Sequence, residues 1–135
     1  MDKVSNQEFF SAILSSNILV PYLERDSELA ELIQFPNHPN IHYFDTCASA
    51  KELAPTLRHR LNVMVAKNIS HNLEATKQLV AFIEEYPESQ IYNVTFNCQT
   101  KHYGVRCGWI DNQLYVICVM TGGHIPDELL GEYVK

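Results

Sequence analysis

Hydrophobic and polar positions alternate most clearly between Gln90 and Thr121, in the stretch QIYNVTFNCQTKHYGVRCGWIDNQLYVICVMT. Tyr92, Val94, Phe96 and Cys98 fall on one side of a period-two pattern; Asn93, Thr95 and Asn97 fall on the other. After a short break Tyr103, Val105, Cys107 and Trp109 alternate with Gly104, Arg106 and Gly108. Alternation of this kind marks a strand buried on one face. Leu114 to Met120 is apolar on both sides of the pattern, which predicts a third strand covered on both faces.

Turn chemistry sets the pairing. Asp111-Asn112 suits a two-residue hairpin turn, because both residues tolerate positive φ. That turn sets Trp109 opposite Leu114, Cys107 opposite Val116, Val105 opposite Cys118 and Tyr103 opposite Met120. An even loop over Gln99 to His102 sets Cys98 opposite Tyr103, Phe96 opposite Val105 and Val94 opposite Cys107. A one-residue slip would turn a whole strand inside out, so the apolar pattern constrains the register.

The second face carries Thr95, Asn97, Arg106 and Tyr115, with Gly104 and Gly108 flanking Arg106. Glycine inside a strand often marks the close approach of another group. One reading is a shallow slot with a cationic floor, suited to an anionic or carbonyl group. The plainer reading lays Tyr115 over Gly108 and lets Arg106 reach solvent. Thr95, Asn97, Arg106 and Tyr115 are the candidate binding residues.

The rest of the chain reads as helical. Ser5-Asn6-Gln7-Glu8 is a capping box and opens a helix from about Asn6 to Ser16, ended by Asn17. Ile18 to Tyr22 is apolar but holds Pro21, which suggests a loop or edge segment. Asp26 or Ser27 caps a short helix to about Gln34, and Ile41 to Phe44 is strand-like, an extra edge strand of the sheet. Asp45 or Thr46 caps the next helical region, with a break expected near Ala54 ahead of Pro55. A helix from Pro55 to about Lys67 turns Leu57, Leu61, Met64 and Val65 inward and Arg58, His59 and Arg60 outward. Asn72 caps a last long helix to Glu85, burying Leu79, Phe82 and Ile83. Pro126 opens a short terminal helix with Leu129, Leu130 and Tyr133. The predicted class is α+β in a single domain, 1–135: helices packed on a three- or four-stranded antiparallel meander.

Composition narrows the function. At 135 residues and 46% hydrophobic content the chain can bury a core. No apolar run nears the ~20 residues that span a bilayer. The start, MDKVSNQEFF, has no basic region followed by a long apolar core, so a cytoplasmic setting is expected. Cys47, Cys98, Cys107 and Cys118 form no CxxC pair; three of them fall on the apolar face of the sheet, as reduced, buried thiols. Net charge is −6 and uneven: residues 1–50 carry two basic and seven acidic groups, residues 51–110 seven and five. That balance argues against non-specific nucleic-acid binding and suits a basic partner surface.

Three constellations bear on chemistry. Cys47 falls in the first turn of a predicted helix, where a thiol is more acidic, and His102 or His124 could serve it as base. A cysteine at a helix start with a histidine on a later strand is similar in outline to papain-like and NlpC/P60-type peptidases, which would imply a thiol hydrolase. Arg106, Thr95, Asn97 and His102 share a region, with Arg58, His59 and Arg60 near it. This resembles compact α+β toxins of the RelE and barnase type, which would imply metal-independent RNA cleavage by general acid–base work and phosphate stabilisation. His38 and His42 flank Pro39 and lack completing ligands, so no metal is expected. No GxGxxG, P-loop or GxSxG occurs, and no cofactor is expected.

Catalytic candidates are thus Cys47, His102 and Arg106. The stronger expectation is a protein-binding module, of the small acidic type that inhibits a toxin, nuclease or defence system. Its half-apolar second face, with Ile91, Tyr115, Ile117 and Val119, is left to pack on a helix, a protein partner or a second copy in a homodimer.

Overall fold

The computed structural model describes residues 5–99 and 101–123, with backbone alone for 44–48 and Gly123. His124 and the helix expected after Pro126 lie outside the described residues. The order is α1 (Asn6–Ser16), α2 (Val20–Leu23), α3 (Ser27–Leu32), β1 (Ile41–Ser49), α4 (Ala50–Ala66), α5 (Leu73–Glu85), β2 (Gln90–Asn97), β3 (Lys101–Ile110) and β4 (Gln113–Gly123). The strands form one antiparallel sheet in the order β1-β2-β3-β4. No described helix is long and apolar enough to cross a membrane.

Local chemistry sets most helix ends. At α1 the Glu8 N–H donates to Ser5 Oγ at 3.1 Å and the Ser5 N–H donates to Glu8 Oε1 at 3.3 Å, a reciprocal cap. Asn17 closes the helix at φ 58°. Asp26 Oδ1 accepts from the Glu28 and Leu29 N–H groups at the start of α3.

Two segments depart from expectation. Val20–Leu23 is helical, because Pro21 sits in the first turn, where its missing N–H forfeits nothing. β1 stays extended to Ser49, so α4 starts at Ala50 and runs unbroken through Pro55. Pairing with β2 holds 41–45 in the sheet, and Ser49 returns to pair with Gln90. The first turn of α4 is then anchored by the Ala50 N–H to Ser89 O at 2.7 Å and the Lys51 N–H to Pro87 O at 3.0 Å. Pro55 forfeits one helical bond near this anchored end. Leu57 and Met64 face inward as expected, but Val65 is 55% exposed.

Both hairpins shift the expected partners; β2 and β3 keep their expected faces, and β4 keeps them only as far as Val116. Asp111 and Asn112 both have positive φ, and Trp109 pairs with Leu114 and Cys107 with Val116. Between Cys107 and Arg106 the register shifts, so Arg106 pairs with Cys118, Val105 with Val119 and Tyr103 with Thr121. β4 carries one extra residue there, at Ile117, which is a β-bulge. The bulge sends Cys118 and Met120 to the second face and Val119 to the first, correcting the placement of Cys118 and Val119. The β2–β3 hairpin is closed by the Cys98 N–H donating to Lys101 O, two residues tighter than expected. Phe96 therefore pairs with Tyr103, Val94 with Val105 and Tyr92 with Cys107. A shift of two leaves every side chain on its face.

Helices cover both faces. Val94, Phe96, Val105 and Cys107 are fully buried in one cluster with Phe9, Phe10 and Ile13 of α1 and Leu29 of α3. Ile91, Cys118 and, partly, Ile117 pack with Leu57 of α4 and with Leu79, Val80 and Ile83 of α5. The fold is α+β, an antiparallel meander between two helical layers. The apolar part of the second face is thus taken up by α4 and α5.

Candidate functional site

The polar part of the second face is built by β2 and β3. Asn93, Thr95 and Asn97 alternate out of β2 opposite Arg106, Gly104 and His102 of β3. All four side chains Thr95, Asn97, His102 and Arg106 are half-buried, and His42 of β1, paired with Thr95, is exposed beside them. The His102 ring lies against Gly122: a Cβ at Gly122 would meet its Nε2 at 2.7 Å. Gly104 leaves the floor bare beside Asn93 Oδ1.

Asn93 and Arg106 are the unusual members. Asn93 Nδ2 donates to Thr95 Oγ1 at 3.1 Å, while Asn93 Oδ1 is buried without a hydrogen-bond donor. Buried acceptors in folded proteins are almost always satisfied. Arg106 makes no hydrogen bond or ion pair among the described residues, whose ion pairs are Lys51–Glu88, Arg58–Glu84 and Lys77–Glu74. Burial pulls its guanidinium below the ordinary range, and the charge of Arg60 pulls the same way. Cys118, its cross-strand partner beside the bulge, is a buried thiol pushed up to about 11 by burial. Bulges commonly re-aim side chains next to functional sites.

Tyr115 lies opposite Gly108, next along this face from Arg106. Its ring stacks on Tyr86, centroids 6.4 Å apart and planes 10° apart, and approaches Phe82 at 6.2 Å. Phe82 covers Gly108, where a Cβ would meet its ring at 2.3 Å. An aromatic cluster of Phe82, Tyr86 and Tyr115 therefore covers the Gly108 position that Tyr115 alone was expected to cover.

Cys47 is elsewhere. It lies within strand β1, not in the first turn of a helix, so the helix-terminus activation expected for its thiol does not apply. The β1–β2 register places it between the Tyr92 and Gln90 levels of β2, whereas His102 pairs with Asn97. That is about six residues along the strand, roughly 20 Å of backbone, so the two positions are not brought together. A pairing with His124 lies outside the described residues.

Of the outer residues of α4, Arg58 pairs with Glu84 at 3.2 Å, and the charge of Arg60 acts on Arg106. Asn93 was not among the sequence candidates, whereas Arg60 was expected near the Arg106 region. The tighter hairpin turns Asn93, rather than Thr95, opposite Arg106. No family model, curated protein or solved structure matches the chain.

Proposed function

We propose that this protein is a binding module that takes an anionic group of a protein partner on the polar part of its sheet, through Arg106, Thr95 and Asn97. The observation that carries this reading is the half-buried Arg106 guanidinium with no counter-charge among the described residues. A cation drawn out of water is costly until it is paired, so an anion that reaches it is held well. Small size and a net charge of −6 fit the class of proteins that inhibit a toxin, nuclease or defence system by occupying it. A second reading, a metal-independent ribonuclease, is favoured by His102 sharing the face with Arg106; the same net charge opposes it.

The test is affinity capture from the native host with wild type and Arg106→Ala side by side, followed by an RNA-cleavage assay. A stoichiometric protein partner lost with Arg106→Ala supports the binding module. A partner held equally by both overturns it. RNA recovery with cleavage abolished by His102→Ala moves the assignment to the nuclease.

A further inference from the structure

We infer that the ring faces of Tyr86 and Tyr115, with the Glu85 carboxylate beside them, form a second binding site, which takes the guanidinium group of an arginine side chain from a protein partner. The site is built by the end of α5 and by β4, and it does not depend on the reading of Arg106.

The rings are arranged to receive a flat cation. Phe82 lies on Gly108, and its ring is tilted 47° from that of Tyr86 and 52° from that of Tyr115. Tyr86 and Tyr115 themselves stand nearly parallel, planes 10° and centroids 6.4 Å apart. Carbon atoms in van der Waals contact are about 3.5–4.0 Å apart. At the observed spacing neither tyrosine ring rests on the face of the other. Tyr115 is 38% exposed and Tyr86 is half-buried, so both residues are accessible to a partner. Tyrosine held in this way, one side packed and one side open, is a residue type enriched at protein interfaces.

Charge selects the occupant. The C-terminus of a helix favours cations, yet the last turn of α5 holds Glu84 and Glu85 and no basic residue. Arg58 answers Glu84 at 3.2 Å and Lys51 answers Glu88 at 3.6 Å, whereas Glu85 has no ion pair among the described residues. Glu85 adjoins Tyr86 in the chain, and its charge is the main cause that holds the Tyr86 hydroxyl above its ordinary range. A cation here meets three features of one sign: the π faces, the free carboxylate and the helix end. An anion meets the same three as repulsion. Guanidinium fits better than ammonium, because it is planar, less strongly hydrated, stacks on aromatic faces and can fork to a carboxylate at the same time. The net charge of −6 draws basic surfaces toward the protein as a whole.

The experiment is an NMR titration of the full chain at pH 7 and constant ionic strength, read at the ring protons of Phe82, Tyr86 and Tyr115. The probes are N-acetyl-arginine methylamide, its neutral isostere N-acetyl-citrulline methylamide, and N-acetyl-lysine methylamide. The proteins are wild type, Tyr115→Leu and Glu85→Gln. The expected result is a saturable shift of the Tyr86 and Tyr115 rings with the arginine probe, at a concentration about two- to fivefold lower than the citrulline probe needs. The lysine probe should bind more weakly than the arginine probe. Tyr115→Leu should abolish the saturable shift at Tyr86. Glu85→Gln should weaken the arginine probe and leave the citrulline probe unchanged. Glu85 is exposed at the end of its helix, so Glu85→Gln decides the matter even where Tyr115→Leu folds poorly. Equal binding of the arginine and citrulline probes would show an apolar contact and overturn the assignment of a cation. Tighter binding of the lysine probe overturns the choice of guanidinium. Ring protons that no probe moves, or an arginine response untouched by Glu85→Gln and Tyr115→Leu alike, overturn the site.

Discussion

The side-chain amide of Asn72 pairs with the backbone of Thr121 as a neighbouring strand would: Nδ2 donates to Thr121 O at 2.9 Å, and the Thr121 N–H donates to Oδ1 at 3.0 Å. Asn72 is held at φ 60° at the start of α5, and its side chain caps the edge of β4 rather than its own helix. His71 Nε2 adds a second donor to the same carbonyl at 2.6 Å. The α4–α5 connection thus covers the β4 edge at Thr121, where the backbone groups would otherwise be open to other chains.

Asn72→Gly keeps the positive φ and removes the amide, so it should cost about 1–2 kcal/mol for the lost hydrogen bonds. Asn72→Ala adds the left-handed backbone penalty of about 1 kcal/mol more. Urea unfolding midpoints check both. A glycine variant as stable as wild type would show that the edge contact contributes nothing.

Asp26 ties α3 to the sheet. One carboxylate oxygen caps the helix and the other accepts from Tyr103 Oη at 2.6 Å. The hydrogen bond from Tyr103 chiefly holds Asp26 below its usual range. A depressed carboxylate stabilises the fold above its unfolded pKa and loses that contribution as the pH falls through the folded one. Asp26→Ala should cost about 1–3 kcal/mol at pH 7. The gap to wild type should narrow as the pH drops below about 4. Tyr103 is raised, mainly by burial and then by Asp26. Its contribution is therefore present at neutral pH and lost above about pH 10. Denaturant titrations of wild type, Asp26→Ala and Tyr103→Phe across this range measure the two limbs; a gap that widens in acid would contradict the assignment.

Three thiols should be silent in the native protein. Burial pushes Cys98 and Cys107 up to about 12 and Cys118 up to about 11, so each is protonated at neutral pH. Ellman's reagent at pH 7 should label no more than one of the four cysteines until denaturant is added. Rapid labelling of two or more in native buffer would refute this burial.

Gly108 is bare because Phe82 lies on it. Gly108→Ala should destabilise by about 1–3 kcal/mol through overpacking. Phe82→Leu should recover part of that loss in the double variant, because the two sites share one contact. Additive costs in the double-mutant cycle would mean that the ring moves aside freely.

Much of this fold was legible because single residues dictate it. The Ser5–Glu8 box, Asn17, Asp26 and the Asp111-Asn112 turn each act within a few residues, and each stands where local chemistry puts it. The bulge at Ile117 was not legible: β4 is apolar on both faces, so its pattern cannot reveal a change of face. The length of β1 was hidden too, since DTCAS carries a helix-capping signal that pairing with β2 overrides. At the site, Thr95, Asn97 and Arg106 share a face because alternation survives a two-residue shift. The packing of Tyr115 with Phe82 and Tyr86 was not legible, because those rings come from a segment distant in sequence. The pairing of Asn93 with Arg106 needed the exact partner across the hairpin, which no local pattern carries.

The detour between Ser49 and Gln90 also sets an order of assembly. β2, β3 and β4 are joined by tight turns, so their contacts are close in sequence and cheap to form. β1 meets β2 only after 40 intervening residues have folded back as α4 and α5. Closing so long a loop before its contacts form is entropically slow. The meander should therefore condense first, and β1 should zip on last. Pulse-labelled hydrogen exchange during refolding reads this sequence directly: β3 amides should be protected ahead of those at Ile41 to Tyr43, and simultaneous protection would contradict it.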